Sequence, residues 1–269
     1  MIAYNEQWLY DEYVRGEADE ALREECITPE EHAAIYAAQP GGFYTPNFFV
    51  RIGLGILTLI IVSFVAALFA MMSGVDHMSG FFVFMGLLCY GAAEFFIRTR
   101  RMYNAGVDNM LVWMAAGFIV GGISFQLHSA AYNSPSHNSL VCLIAFIVYL
   151  ALAARFADML LSIAAGASLL LFALYAYMDY GILVSYTWPF VMILCSVGFY
   201  FGVLRLSRSN ALLLYGRCLQ VARVLALLAI YAAGNYYLVH ELTVDAYRVG
   251  DTYGGTTVAP AIKVFSWAW

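Results

Sequence analysis

The stretch IGLGILTLIIVSFVAALFAMMSGV, residues 52–75, contains no charged side chain. Wound as an α-helix rising 1.5 Å per residue, it is about 36 Å long and crosses the roughly 30 Å hydrocarbon core of a bilayer. The same reading extends outward along the chain. After Asp76-His77, residues 78–97 are apolar except for Glu94, and residues 109–154 lack Asp, Glu, Lys and Arg altogether. The segment HSAAYNSPSH, His128 to His137, divides that long run, because Pro135 and its small polar neighbours are turn chemistry. The predicted fold is an all-α polytopic membrane helix bundle of seven transmembrane helices, at about 52–75, 78–97, 109–127, 138–154, 159–178, 186–204 and 218–239. Membrane strands would instead alternate over about ten residues, and a helix satisfies its own backbone polar groups in lipid.

Composition agrees with that class. Hydrophobic residues make up 63% and charged residues 12% of the 269, against roughly 25% charged in soluble domains. A soluble enzyme, a nucleic-acid binder and a disordered chain are all excluded. The net charge of -5 hides an asymmetry: residues 1–48 carry ten acids and two arginines, the rest eight acids and eleven bases.

Cytoplasmic loops collect Lys and Arg. With the N terminus inside, Arg15, Arg23, Arg51, Arg98, Arg100, Arg101, Arg155, Arg205, Arg208 and Arg217 all fall on the inner side, with Arg223 close to it. The outer side keeps Arg248 and Lys263. The N terminus is predicted cytoplasmic and the C terminus outside. An acidic leader precedes the first apolar run, the reverse of a cleavable signal peptide, so the first span is expected to act as an uncleaved anchor. Residues 241–269 are read as an outer tail. Its end, Val258 to Trp269, is either an interfacial segment or the start of an eighth span.

Residues 1–48 are expected to form an acidic cytoplasmic helical hairpin. Trp8, Leu9, Tyr13, Ala18, Ala21 and Leu22 recur at helical spacing. Thr28-Pro29-Glu30-Glu31 then supplies an N-cap, a proline at the first helical position and a glutamate three residues after the cap, which is a capping box. Its negative charge suggests that it folds back onto the Arg98-Thr99-Arg100-Arg101 loop. The plain reading is packing on the inner membrane face, and the sharper one is a docking module for a protein partner.

The ITPEE turn, Arg51-Ile52-Gly53-Leu54-Gly55, and YGAAEFFIRTRRMYNAGVDNMLVWMAAG over residues 90–117 resemble a group of uncharacterised bacterial multi-pass inner-membrane proteins, of the domain-of-unknown-function type. The resemblance covers about residues 27–125. It implies a bacterial inner-membrane location and carries no catalytic residue with it.

Ionisable groups inside spans are the first candidates for function. Glu94 precedes Arg98 by four residues, the favourable order for an ion pair on one helix face. The plain role is an anchor at the headgroups; the functional one is a proton or cation relay shared with Arg223, Asp108 or Asp158. Arg223 either snorkels to the surface or serves as a buried counter-ion for Glu94. Asn235 is expected to make an interhelical hydrogen bond. On the outer side His77, His128, His137 and His240, with Asp76, Asp179 and Glu241, have the donor chemistry of a transition-metal site, though no pair has helical ligand spacing. Gly117 and Gly121 form G-x-x-x-G in the third span, and Ser162 and Gly166 repeat the spacing in the fifth. Intramolecular packing is their first expected use and homo-oligomerisation the second.

Several chemistries are absent. Lys263 is the single lysine and lies outside the spans, which excludes a retinal Schiff base; neither G-x-S-x-G nor G-x-x-x-x-G-K occurs. No cofactor is implied, and the five cysteines contain no C-x-x-C. The first functional reading is a non-enzymatic sensor, scaffold or accessory protein in the lipid bilayer. The alternative is a small-solute or lipid transporter using Glu94, Arg223 and Asn235, and an outer-face metal-dependent hydrolase comes last.

Overall fold

The computed structural model describes residues 2–39, 41–44, 46–73, 78–130, 137–178 and 184–252, with the backbone alone at 72–73, 129–130, 137, 184–186, 210–211, 213 and 237–252. Among these residues nine α-helices follow one another: α1 (Glu6–Arg23), α2 (Pro29–Ala38), α3 (Phe48–Ser73), α4 (Met78–Arg100), α5 (Val107–Ala130), α6 (His137–Phe156), α7 (Met159–Met178), α8 (Val184–Ser207) and α9 (Gly216–Thr252). A short 3-10 turn, Asn210–Tyr215, links the last two. Seven of the helices are long and apolar enough to cross a membrane: Phe48–Met71, Met78–Arg100, Val107–His128, Asn138–Phe156, Met159–Met178, Thr187–Ser207 and Gly216–Tyr236. The chain is a multi-pass membrane protein, as its apolar runs predict.

The helices exceed the apolar runs where arginines stand at their ends. α4 continues through Arg98 and Arg100, because long guanidinium stems let a helix leave the hydrocarbon while the charge stays wet. α9 remains helical to Thr252, well past its apolar window. The first part of the expected outer tail, 241–252, is thus a helical extension. Residues 253–269, which bear on the eighth span, lie outside the described residues.

Consecutive spans pair as hairpins: α4 packs chiefly on α5, α6 on α7 and α8 on α9. The hairpins join because α5 also meets α6, and α7 meets both α8 and α9, while α3 lies against α5 and α4. Lipid supplies no hydrophobic drive between helices, so close approach through small residues decides the packing. Ala93, Ala115, Ala116 and Ala226 are at most 1% exposed. A Cβ on Gly86 would crowd the Ile119 side chain and the Ala115 carbonyl, and one on Gly122 would meet the Ser79 carbonyl. Gly166 likewise faces Leu225 and Phe199, in keeping with its expected packing role. The G-x-x-x-G of α5 does not follow suit. Gly117 and Gly121 are exposed, with nothing within 4 Å of a Cβ at either. The expectation that they pack within the bundle is corrected: α5 presents Ala115, Ala116 and Gly122 inward instead.

The core is concentrated at one end. Ala93 and Ile97 close α4, Leu111, Val112 and Ala116 open α5, Leu152, Ala153 and Phe156 close α6, and Leu161 opens α7. Tyr4 of the leader belongs to the same buried cluster. This end of the bundle is therefore the one the leader covers.

Within the leader, Asn5 caps α1 by accepting from the Gln7 and Trp8 backbone N–H groups. Thr28 and Glu31 form the capping box their spacing predicts, the Glu31 carboxylate accepting from the Thr28 backbone N–H at 2.8 Å. α1 and α2 are tied by Asp19, which accepts from His32 Nε2–H at 2.8 Å and from the Tyr36 hydroxyl at 2.8 Å. A carboxylate only accepts, so His32 carries its proton on Nε2. These bonds, the one from His32 foremost, hold the Asp19 carboxyl below its ordinary range. A depressed carboxylate stabilises the fold above its unfolded pKa, and the gain is lost as pH falls through the folded value. Because Asp19 is 58% exposed, solvent screening limits the effect to less than about 1 kcal/mol. Wild type and Asp19→Asn are expected to melt apart at neutral pH and together in strong acid, measured by circular dichroism; an equal gap at both would remove this role.

Candidate functional site

The leader meets the bundle at the turn between α4 and α5, residues 101–106. This turn bends sharply: Arg101, Asn104 and Gly106 have φ of 52°, 53° and 92°. Gly106 has no substitute, since a Cβ there would overlap the Arg51 carbonyl of α3. The turn is held from inside by Asp108, in the first turn of α5 and 0% exposed. Its carboxylate accepts from the Asn104 backbone N–H at 2.8 Å and from the Ala105 backbone N–H at 2.9 Å. The Tyr4 hydroxyl donates to the same carboxylate at 3.3 Å. Burial, with the Asp108 charge beside it, raises the Tyr4 pKa, so the phenol stays a donor at any ordinary pH.

Around Tyr4 the leader is fastened by rings and backbone. Tyr4 stands edge-on to Phe43 and Tyr103, and Phe43 stacks on Tyr103 at 5.0 Å between centroids. The Arg101 guanidinium lies 4.7 Å from the centre of the Trp8 ring, a cation–π contact. The Ala3 N–H donates to the Arg155 carbonyl at 2.8 Å, and the Tyr44 N–H to the Arg101 carbonyl at 3.0 Å. The leader does fold back onto the arginine loop, as its charge suggests, yet these anchors are aromatic and hydrogen-bonded.

Aromatic packing and backbone hydrogen bonds are little affected by counter-ions, whereas exposed ion pairs are screened as the Debye length shrinks from about 10 Å at 0.1 M to about 3 Å at 1 M salt. Protease cleavage of the leader is expected to proceed at nearly the same rate at both salt concentrations. Release by salt would mean that the acids, rather than Tyr4 and Trp8, hold it in place.

Beside this seam, Glu94 of α4 joins two helices. Arg155, at the end of α6, donates to its Oε1 through Nε at 2.8 Å and approaches it through a terminal nitrogen at 2.7 Å. The Tyr90 hydroxyl donates to the same oxygen at 3.1 Å. Arg98 makes the expected i to i+4 pair, its Nε 3.0 Å from Oε2. That approach is off the hydrogen-bond axis, since Oε2 is buried without a hydrogen-bond donor. It is therefore an ion pair of charge alone. Glu94 is 14% exposed, Arg155 29% and Arg98 68%. The stronger partner is Arg155, from another helix.

The other sequence candidates are placed separately. Asp158 is the N-cap of α7: its Oδ1 accepts from the Leu161 N–H at 3.0 Å and from the Trp113 indole N–H at 3.0 Å. Arg223 is not the counter-ion of Glu94, whose partners are Arg98, Arg155 and Tyr90; its Nε is buried without a hydrogen-bond partner. Asn235 sits exposed on α9 and, among the described residues, has no interhelical hydrogen bond. That expectation is corrected: α9 turns Ala226 and Ala233 inward, and Asn235 falls on another face. Among the described residues no hydrogen bond or ion pair links Glu94, Arg223 and Asn235 to one another.

Of the metal candidates, Asp76, His77 and Asp179, and the side chains of His137, His240 and Glu241, lie outside the described residues. His128 is exposed at the end of α5. Among the described residues no three His, Cys, Asp or Glu side chains are grouped to hold a metal.

Sequence reasoning misses Arg155, Tyr4 and the Trp8–Arg101 contact. Arg155 is legible in principle, because alternating spans bring the end of α6 level with Arg98. Nothing in Ile2-Ala3-Tyr4-Asn5 points to a buried acid 104 residues away. No protein-family model, curated protein or solved structure matches the chain.

Proposed function

We propose that the chain is a non-enzymatic sensor, scaffold or accessory protein of a bacterial-type inner membrane, with its leader-covered end facing the cytoplasm. The arginines at that end support the orientation, and the resemblance of residues 27–125 to bacterial inner-membrane proteins is the ground for the location. The observation that carries the functional reading is the use made of the acids. Glu94, Asp108 and Asp158 are each bound to the protein's own arginines, backbone N–H groups or indole. A proton or cation relay needs carboxylates that exchange partners, whereas these three hold α4 to α6, the leader to α5, and α5 to α7. The built feature is the docked leader, a folded acidic hairpin on the inner face that offers a surface to a protein partner.

Flux measurements separate this reading from a transporter. In proteoliposomes of the full chain, proton and monovalent-cation flux is expected to equal that of lipid alone. Flux above that level, abolished by Glu94→Gln, would replace the sensor reading with the transporter.

A further inference from the structure

Between the start of the leader and the ends of α4 and α6 lies a cleft of about 520 Å³. Tyr4, Trp8 and Phe43 wall one part of it and Arg98, Arg101 and Arg155 another, and no acid is among the lining residues. Glu94 engages Arg98 and Arg155, whereas Arg101 rests on the Trp8 ring and has no ion pair among the described residues. The cleft wall thus carries three guanidinium groups and no carboxylate, and the Arg101 charge is left unneutralised. Glu94 also restrains Arg155 through two nitrogens, so part of the ordering cost is met before any ligand arrives.

Two further features point the same way. Asn5, the N-cap of α1, lines the cleft, placing the positive end of an 18-residue helix at its wall. Arg101 is held in the left-handed region, at φ 52°, by the Tyr44 hydrogen bond and rests on the Trp8 ring. Such a conformation is costly for a non-glycine residue and persists where the surroundings require it. It fixes an exposed guanidinium over the cleft.

We propose that this cleft binds the phosphate group of an anionic ligand. Guanidinium forks match phosphate oxygens in charge and geometry. Ile97 and Arg155 lie in the last turn of their spans, at the level of lipid headgroups. Two sources share this chemistry, an anionic phospholipid headgroup and a soluble phosphate. The proposal gives the sensor reading its signal and rests on that reading for its purpose.

The test uses the purified full chain. Native mass spectrometry after exchange into phosphatidylglycerol or phosphatidylcholine reads the lipid arm; the shift of melting temperature by inorganic phosphate, against chloride at equal ionic strength, reads the soluble arm. Wild type is expected to retain phosphatidylglycerol over phosphatidylcholine, and Arg101→Gln to weaken that retention about tenfold, the loss of one charge-assisted pair. Arg208→Gln, an exposed arginine outside the cleft, is expected to change nothing. A phosphate-induced melting shift that Arg101→Gln abolishes assigns the soluble source as well. If Arg101→Gln fails to fold, Arg98→Gln, whose side chain is largely exposed, takes its place with the same expected loss. Equal retention of both lipids together with no phosphate shift overturns the proposal, as does an equal fall in Arg101→Gln and Arg208→Gln. Neither result bears on ion flux, so this failure is distinct from failure of the sensor reading.

Discussion

Asp108→Ala is expected to lower stability by about 3–5 kcal/mol and to free the leader from the bundle. The carboxylate is fully buried and accepts from two backbone N–H groups and the Tyr4 hydroxyl. Each buried donor left without an acceptor costs about 1–3 kcal/mol. The Tyr4 bond, at 3.3 Å, contributes least. The two backbone donors matter more, because they hold a turn with three residues at positive φ. Loss of the acid from the first turn of α5 removes a favourable dipole contact of about 0.3–1 kcal/mol as well. Thermal unfolding in detergent checks the stability, and protease cleavage at Arg15 and Arg23 reads the leader. Tyr4→Phe separates the two effects: it keeps the turn and removes one weak bond, so it is expected to loosen the leader with a fall in stability of only about 1 kcal/mol. If Asp108→Ala melts with the wild type, the buried carboxylate does not organise this end of the bundle.

Glu94→Gln is expected to be nearly as damaging, at about 2–4 kcal/mol, because it leaves two arginines without their shared counter-charge. A double-mutant cycle apportions the loss. Arg155 is mostly buried, bonds through two nitrogens and comes from a different helix, so coupling of Glu94 with Arg155 is expected at about 1–3 kcal/mol. Arg98 is 68% exposed and misaligned for a hydrogen bond, so its coupling with Glu94 is expected below about 0.5 kcal/mol. The reverse order would place the weight on the pair visible in the sequence. Melting curves of the single and double glutamine variants give both numbers.

That contrast shows how far the residues alone reach. The seven spans are legible because a charge-free run such as 52–75 has one stable solution in lipid. The Thr28–Glu31 capping box and the Glu94–Arg98 pair are legible because both partners lie within one helical turn. Which face of each span turns inward is not, since these helices are apolar all round and no amphipathic stripe marks the core side. Two sets of glycines compete for that role in α4 and α5. Gly86 and Gly122 prevail over Gly117 and Gly121 only through the shapes of Ser79, Ala115 and Ile119. The candidate site is less legible still. Its arginines are visible as a topological signal, whereas Tyr4–Asp108 and Ala3–Arg155 join segments with no local sign of each other.

Those two contacts also set an order of events in biogenesis. Tyr4 meets a residue 104 positions later in the chain, and Ala3 meets the end of α6. During synthesis the leader is made before the spans, yet Asp108 arrives only after α3 and α4, and Arg155 only at the end of α6, the fourth span. Until α6 is in place the hairpin waits beside an unfinished bundle with Tyr4 and Trp8 unsheltered. Docking of the leader therefore marks the moment at which the first four spans have assembled, and a chain stalled before α6 presents a different face to whatever surveys the nascent protein.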